Sequence, residues 1–478
     1  MKVILVVFDG LRPDHVSPDR MPNLAAFADD GVRFGNSRTI FPSETRVAVA
    51  SLVTGSWPAR HGIVANEFFD YRFSRERPVD TGSREDLLAL QQAHGGALLE
   101  RASLSERLTA AGLKHAVVST ASPGASFLLD HQAERFRQFS WSVHGSGNTP
   151  LDLAQEILRR YGPVPTQAIP NQARIDYAAS VLLDFVLPRL QPDLAVFWSS
   201  EPDNTYHNRG VGSPESRQAQ RAADAAFGRI IDWWRGSPER DRIQIVVASD
   251  HGQLTGTAKI DVIQAMRESG VMGGPRIGPG IEAGVLPGSM TSIYAQTPQA
   301  SLAIESWLRD QAWCGFILKR GESPGPGALA MHLVGTEHAR APDLAFTFAG
   351  TDDEDSLGIA GCTVFDGDLP VGAGMHGGLH RRELSNVLIA GGSAFQQGVR
   401  SELPAGLLDI APTIAALLGL AGAGFDGRVL GEALRKPSAL EDVGEDTVET
   451  AIGGFRRRLQ RLRLGRHVYL GGDRSTYA

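Results

Sequence analysis

Six carboxylate and imidazole side chains stand in short motifs that could bind metal ions: Asp9, Asp203, His207, Asp250, His251 and His376. Asp203 and His207 are four residues apart in EPDNTYH, and Asp250 and His251 are adjacent in VVASDHG. Carboxylate oxygen and imidazole nitrogen are donors that zinc and similar divalent metals take in proteins. Together with one hydroxyl, these side chains suffice for two metal sites.

A candidate nucleophile lies in the stretch IFPSETRVAVASLVTG. Thr45 follows a proline-containing loop and precedes an apolar pattern that begins at Val47, so we predict that it stands at a helix N-terminus, where an anion is favoured. A threonine hydroxyl is a weak nucleophile, but metal coordination lowers its pKa. Two metals about 4 Å apart also stabilise the attacking and leaving oxygens of a phosphodiester. The pattern therefore predicts attack of a loop hydroxyl on phosphorus, with Ser43 as the alternative to Thr45.

These motifs follow apolar runs that are typical of buried strands. The runs cover residues 3–8, 116–119, 194–198, 243–248 and 387–390. Most are continuous rather than alternating, which favours strands buried on both faces of a parallel sheet. Helical patterns cover residues 22–30, 217–235 and 408–418. The sequence therefore predicts an α/β fold, with the polar strand ends meeting at one edge of the sheet, where ligands bind.

The motifs resemble those of the alkaline phosphatase superfamily and, within it, of the nucleotide pyrophosphatase/phosphodiesterase branch. The matching stretches, between residue 1 and about residue 390, are VVFDGLRPD, PNLAAFADDGVRF, FPSETRVAVASLVTGSWPARHGIVAN, EPDNTYHNRG, ASDHGQ and MHGGL. The resemblance implies a three-layer α/β/α core with a mostly parallel sheet and an inserted cap region.

The resemblance also implies roles for single residues. The family's nucleophile is a threonine in a P-x-x-T loop, with an asparagine 21 positions later that steadies a phosphoryl oxygen; Thr45 and Asn66 match this spacing, which selects Thr45 over Ser43. Two zinc ions are implied. One would be held by Asp203, His207 and His376, and the other by Asp9, Asp250, His251 and Thr45 Oγ. The implied reaction passes through a phosphothreonine intermediate, which water then hydrolyses.

Candidate substrate-binding residues flank this machinery. Arg46 follows the nucleophile directly, where eukaryotic members of the branch tend to have an apolar residue. It could contact a second substrate charge or pair on the helix surface. Phe68 and Phe69 follow Asn66 and could stack on a nucleobase, although packing in the core is the favoured interpretation. His61 is interpreted as a structural hydrogen-bonding residue.

The organisation of the chain is predicted from composition shifts. A catalytic core would comprise residues 1–255 and 371–435, and a Gly- and Pro-rich stretch at 256–370 would form the cap. Residues 436–478 form a tail in which acidic residues at 441–449 precede six arginines between positions 456 and 466. We expect a basic surface helix there that pairs with the acidic run; an acidic partner or a membrane surface is the alternative.

Composition limits the partners. The 478 residues are 42% hydrophobic and 21% charged, with a net charge of −7, so nothing favours nucleic acid or anionic membrane as a general partner. Two cysteines exclude a disulfide framework and a thiolate zinc cluster. No apolar run is long enough to span a membrane, and the first is too short for a signal peptide. We expect a cytoplasmic protein with a small phosphoester substrate; its oligomeric state stays open, a homodimer being one alternative.

Together these features predict a metal-dependent phosphodiesterase or nucleotide pyrophosphatase. Phosphonoacetate hydrolase-like or phosphomonoesterase activity is the enzymatic alternative. A catalytically silent metal-dependent protein that binds phosphorylated ligands is the alternative from another class. The sulfatase branch is disfavoured because its nucleophile derives from Cys or Ser in a C/S-x-P-x-R setting, and Cys314 and Cys362 lie far downstream of Thr45.

Overall fold

A computed structural model describes residues 1–74, 76–420, 422, 424–438 and 442–475. Its centre is an eight-stranded sheet. In spatial order the strands are Val399–Ser401, Val32–Phe34, Leu388–Gly391, Ile243–Ala248, Lys2–Phe8, Leu194–Ser199, His115–Ser119 and Phe139–Ser142. Only Leu388–Gly391 runs antiparallel to its neighbours. All five predicted strands lie in this sheet, and the predicted mostly parallel α/β fold is confirmed.

Helices cover both faces of the sheet. Along the first strand Val3, Leu5 and Val7 belong to one core and Ile4, Val6 and Phe8 to the other, because successive side chains of a strand point to opposite faces. The first core is closed by the helices Thr45–Thr54, Arg84–Ala93, Leu104–Ala110, Pro123–Leu129 and Ile410–Leu417. The second is closed by Pro22–Asp30, Leu151–Tyr161, Gln172–Val181 and Pro214–Gly236. The predicted three-layer core is therefore present.

A second sheet lies within the stretch predicted as the cap. Its strands, in spatial order, are Gly273–Gly274, Ala283–Leu286, Met290–Ala295, Leu344–Phe348, Cys314–Lys319 and Leu329–Ala330. The helices Val262–Glu268 and Pro298–Arg309 contribute to the apolar cluster around this sheet. This part of the chain therefore has a hydrophobic core of its own.

A four-stranded sheet joins these two parts. Its strands, in spatial order, are Gly350–Glu354, Ala360–Phe365, Leu254–Lys259 and Gly374–Met375. Leu254 pairs with Met375, so the residue after Met375, His376, is carried toward the Asp250-His251 motif. The predicted boundary at residue 255 falls inside the strand Leu254–Lys259.

The helix predicted for the C-terminal tail is wrong for the described residues 442–475. They form three antiparallel strands, Val443–Ile452, Phe455–Leu464 and His467–Asp473. Phe455, Arg457 and Leu459 are buried at every second position. A bulge after residue 460 then shifts the alternation of buried and exposed side chains by one position. The strand therefore lacks a continuous two-residue period in its sequence.

Two features of the tail explain the strands. Gly453 has a φ of +55° and, with Gly454, makes the two-residue turn between the first two strands, a connection typical of hairpins. The acidic run does pair with the arginines, but across strands: Asp446 binds Arg461 and Arg463. Side chains of opposite charge on neighbouring strands stabilise a sheet, just as oppositely charged side chains three or four residues apart stabilise a helix.

Shorter elements complete the chain. The short helices are Pro13–His15, Pro58–His61, Ala133–Phe136, Leu182–Leu190, Asp203–Arg209, Arg240–Arg242, Met331–Val334, Arg381–Leu384, Leu407–Asp409 and Gly431–Ala433. Two pairs of short strands are Ser37–Arg38 with Ala405–Gly406 and Glu67–Phe68 with Val79–Asp80. Among the described residues, no helix combines the length and apolarity needed to cross a bilayer.

Candidate active site

The predicted metal ligands meet at the carboxyl ends of three adjacent strands. Asp9 directly follows Lys2–Phe8, and Asp250 follows Ile243–Ala248 by two residues. Asp203 begins a short helix four residues beyond the third strand, and its N–H donates to the carbonyl of Asp9 over 3.1 Å. Because these strands are parallel neighbours, their ends lie at one edge of the sheet.

Asp9, Asp250 and His251 form a first cluster, with ligand atoms within 4.8 Å of one another. His251 Nε2 is 3.3 Å from Asp250 Oδ2 and 3.5 Å from Asp9 Oδ1. The other oxygen of Asp250 accepts N–H bonds from Gly10 and His251 over 2.9 and 3.1 Å. Its Oδ2 is buried without a hydrogen-bond partner among the described residues. An unpaired buried carboxylate oxygen is costly in a protein interior, and a cation at this position removes the cost.

Asp203, His207 and His376 form the second cluster. His207 Nε2 is 3.2 Å from Asp203 Oδ2 and 3.1 Å from His376 Nε2. His376 Nε2 is 3.7 Å from Asp203 Oδ1. Asp203 also lies close enough to His251 and His376 for those three to share an ion, so the two clusters adjoin.

The histidine rings are oriented alike. Each has Nδ1 within hydrogen-bond distance of a backbone carbonyl: His207 with Gly374 at 2.7 Å, His251 with Gly252 at 3.0 Å, and His376 with Ser43 at 2.8 Å. A carbonyl can only accept, so Nδ1 carries a proton in each ring, and Nε2 is the nitrogen that faces the cluster. This is the arrangement in which a histidine binds a metal through Nε2.

The carboxylates of the two clusters repel one another, as the shifted pKa values of these groups indicate. Burial, together with the carboxylates of Asp250 and Asp203, raises the pKa of Asp9 well above its usual range. Burial also raises the pKa of Asp250, whereas His207 and His376 hold that of Asp203 below its usual range against the effect of its burial. Bound cations would reverse the repulsion among these three carboxylates. The donor set, the unpaired oxygen and the ring orientation thus fit two divalent metal ions.

Thr45 stands against the first cluster. It is buried and begins the helix Thr45–Thr54. Its Oγ1 is 3.2 Å from His251 Nε2 and 3.4 Å from Asp9 Oδ1. The hydroxyl therefore lies where it can share a cation with both, at a helix N-terminus that favours an anion.

Asn66 is tied to the loop that carries Thr45. Its backbone N–H donates to the carboxylate of Glu44, and its carbonyl accepts from the Thr81 hydroxyl over 2.6 Å. The side-chain Oδ1 of Asn66 is buried without a hydrogen-bond partner among the described residues. Sequence reasoning missed Glu44, although a charged residue directly before Thr45 was a visible signal. Burial raises the pKa of Glu44 to about 7.

Residues 3–306 match the family model described as type I phosphodiesterase / nucleotide pyrophosphatase. The chain belongs to this family. It is 26% identical over 254 residues to human ectonucleotide pyrophosphatase/phosphodiesterase family member 7, which covers 53% of this chain and 48% of that protein. It is 24% identical over 253 residues to venom phosphodiesterase 2 of Crotalus adamanteus, covering 52% of this chain and 26% of the relative. The match thus spans about half or less of these relatives.

Solved structures of the family show the same fold. Murine ectonucleotide pyrophosphatase/phosphodiesterase 5, an inactive variant in complex with AMP, superposes with a TM-score of 0.64 at 17% identity. The alignment covers 91% of this chain and 100% of that one. The human counterpart superposes with a TM-score of 0.63.

The substrate-binding residues predicted from the sequence have different surroundings. Arg46 lines a cleft of about 370 Å³ that also contains Thr45 and Asp203. Phe68 is fully buried in the core, and Phe69 packs against Leu286 and Tyr294. Neither lines the cleft, and their contacts agree with the favoured interpretation that both pack in the core instead of stacking on a nucleobase.

Two further histidines are structural. His61 is buried, its Nδ1 accepts the N–H of Ile63 over 3.2 Å, and its Nε2 lies 2.8 Å from the Ser51 hydroxyl. His380 caps the helix Arg381–Leu384, where its Nδ1 accepts an N–H bond. Neither belongs to a group of described residues that could hold an ion, whereas His376 belongs to the second cluster.

Proposed function

We propose that this protein is a metal-dependent phosphodiesterase or nucleotide pyrophosphatase that forms a covalent phosphothreonine intermediate on Thr45. The observation that carries the proposal is the position of Thr45 Oγ1, 3.2 Å from His251 Nε2 and 3.4 Å from Asp9 Oδ1 in the cleft. Family membership supports phosphoester hydrolysis, and AMP in the murine relative supports a nucleotide as one substrate class.

The residues present suit two divalent ions, for which zinc is our choice because the donors are imidazole and carboxylate. Asp9, Asp250, His251 and Thr45 Oγ1 would hold one, and Asp203, His207 and His376 the other. When bound, such ions lower the pKa of a coordinated hydroxyl and neutralise the oxygens around phosphorus.

The residues of this chain then act in two steps. The Thr45 hydroxyl loses its proton to solvent, and Oγ1 forms a bond to phosphorus while the bond to the leaving oxygen breaks; that oxygen takes a proton from water. In the second step a water oxygen binds phosphorus, the bond to Oγ1 breaks, and Thr45 recovers a proton. Asn66 would donate its side-chain amide to a phosphoryl oxygen, and the N-terminus of the helix Thr45–Thr54 would favour the anion.

A substrate panel tests this proposal. Bis(p-nitrophenyl) phosphate, p-nitrophenyl phosphate, a dinucleotide and phosphonoacetate are offered to wild type, Thr45→Ser and Thr45→Ala, with chelator and after zinc is restored. We expect zinc-dependent diester turnover that falls by about 10³-fold or more in Thr45→Ala and is partly kept in Thr45→Ser. An acid quench during turnover should yield a phosphorylated Thr45 peptide by mass spectrometry.

Each other outcome selects another function. Undiminished turnover by Thr45→Ala would exclude the covalent route. Cleavage of phosphonoacetate alone would indicate the phosphonate activity, and cleavage of the monoester alone a phosphomonoesterase. Binding of these compounds without turnover by the zinc-loaded protein would indicate a silent phospholigand-binding protein.

A further inference from the structure

The cleft that begins at Thr45 extends beyond the two metal clusters. Its wall includes Arg46, His144 and Arg174 in addition to Asp203 and His207. None of the described residues that line it is Phe, Tyr or Trp. A nucleobase or aryl group in this cleft would therefore find no phenyl, phenol or indole ring to stack on, only the smaller imidazole rings of His144 and His207.

Arg46 is one cation of this wall. It follows Thr45 on the same helix, and its side chain is half-buried. Its Nε is buried without a hydrogen-bond partner, and the guanidinium forms no ion pair among the described residues. Glu44 and Glu67 lie near enough to attract Arg46 electrostatically, but neither forms an ion pair with it. Neither glutamate lines the cleft, so among the described residues the Arg46 guanidinium meets the cleft without a paired carboxylate.

Arg174 is the second cation. It lies in the first turn of the helix Gln172–Val181, and its Nε donates to the carbonyl of Pro165 over 2.8 Å, which anchors the side chain. Burial lowers its pKa, and no acidic group in the described part of the chain offsets this. His144 adds no charge, because burial and Arg174 both lower its pKa.

The charges of the cleft do not cancel. Among the described residues its only carboxylates are Asp9 and Asp203, and both belong to the metal clusters. A single phosphodiester charge would be met by the metals, which leaves two guanidinium groups facing the rest of the substrate. An arginine fork binds phosphate and carboxylate with parallel hydrogen bonds.

We propose that Arg46 and Arg174 form a subsite for a second anionic group, a phosphate or a carboxylate, carried by the part of the substrate that extends from the reacting phosphorus into the cleft. This inference rests on the proposed function and narrows its substrate class. It selects phosphodiesters with an additional negative charge over those whose second substituent is neutral or a nucleobase.

The test uses four p-nitrophenyl diesters that share one leaving group. The second alcohol of each diester, here called its arm, is methanol, glycolic acid, ethylene glycol monophosphate or thymidine. The methyl arm is uncharged, the glycolate arm carries a carboxylate, the ethylene glycol arm carries a phosphate, and the thymidine arm carries a base. For zinc-loaded wild type we expect kcat/KM about 10- to 100-fold higher for a charged arm than for methanol, with no such gain for thymidine. The carboxylate and phosphate arms decide which anion the subsite prefers.

Variants assign the preference to the two arginines. In Arg46→Met and in Arg174→Met the ratio of kcat/KM for the charged arm to that for methanol should fall about tenfold or more. Arg46→Lys and Arg174→Lys keep the positive charge but lack the planar guanidinium with its parallel N–H donors. They should retain part of the preference for the charged arm. Arg217→Met is the matched control, because Arg217 is 52% exposed outside the cleft, and it should keep the wild-type ratio.

Two results would overturn the subsite: a wild-type ratio near one, or a ratio that neither methionine variant lowers. A thymidine arm preferred over both charged arms would also overturn it. If no diester is cleaved, the proposed function fails, and the subsite is tested separately by calorimetric binding of the same diesters to zinc-loaded Thr45→Ala. Equal affinity for the charged and methyl arms there would contradict the subsite.

Discussion

The rings of His251 and His376 are stacked, with centroids 3.6 Å apart and 12° between their planes. Two imidazolium rings at this distance would repel strongly, so at least one of the two rings must be neutral. Burial and His251 accordingly lower the pKa of His376 well below its usual value. The Nδ1–H group of each ring donates to a backbone carbonyl, which leaves Nε2 facing the candidate metal sites. The stack thus joins the two candidate metal sites through histidines that are 125 residues apart in the sequence.

Asp250→Asn is expected to have opposite effects on the metal-free and the metal-loaded protein. Without metal it removes a buried charge that repels Asp9, so the free energy of unfolding should rise above that of wild type. With zinc it should fall below wild type, because a saturating ligand adds about 3 kcal/mol at 100 times its Kd. Denaturant unfolding with chelator or zinc, and metal content by mass spectrometry, measure both effects.

Metal content should fall from two equivalents to about one in Asp250→Asn, whereas the exposed control Asp232→Asn should keep both. Two tightly bound equivalents in Asp250→Asn would show that its unpaired oxygen does not serve a metal.

Asn66→Ala is expected to lower kcat by about 10²- to 10³-fold, because one donor to a phosphoryl oxygen is lost. KM and thermal unfolding should change little, since the Asn66 contacts with Glu44 and Thr81 use its backbone. Steady-state kinetics on bis(p-nitrophenyl) phosphate measure the effect. The control Asn36→Ala, at a half-exposed position that does not line the cleft, should match wild type. Unchanged kcat in Asn66→Ala would remove the residue from the mechanism.

The pH dependence of stability should carry a contribution from His61. Burial lowers its pKa to about 3 in the folded chain, against 6.5 for the free side chain. The unfolded chain therefore binds the proton first. The stabilisation by neutral His61 is complete above pH 6.5 and decreases as the pH falls toward 3, by at most about 1.4 kcal/mol per pH unit.

Urea unfolding between pH 7 and pH 5 measures this contribution, with chelator present so that metal release plays no part. His61→Gln should show a shallower decline than wild type, and the exposed control His332→Gln should show the wild-type slope. Equal slopes for all three proteins would mean that the pKa of His61 is the same in the folded and unfolded chains.

The tail is expected to be part of the folded unit. Leu459 is fully buried and packs with Phe316, Leu318 and Leu470. Leu459→Ala should therefore lower the free energy of unfolding by about 2–5 kcal/mol. Val443→Ala, at a position that is 57% exposed, should change it by less than about 0.5 kcal/mol. Chemical unfolding measures both, and an equally small effect at the two positions would mean that the tail unfolds independently.

Much of the core could be predicted because its signals are local. Strands buried on both faces must be apolar at every position, so each of the five runs was visible in the sequence alone. The tail was predicted wrongly because its arginines resemble a solvated helix face, whereas Arg457 is buried and donates to the carbonyls of Cys314 and Gly315. A basic side chain that binds backbone carbonyls of another strand leaves no periodic signal.

The sequence by itself determined the chemistry: the donor types, the threonine at a helix start and the absence of thiolate ligands. Only the tertiary structure decided which donors meet, because strand pairing and the register of Leu254 with Met375 bring His376 beside His251. It also decided that Phe68 belongs to the core, and that Arg46 and Arg174, 128 positions apart, line one cleft. These contacts join residues that are far apart in the chain. They depend on how whole strands and helices pack, which cannot be inferred from the residues next to each one in the sequence.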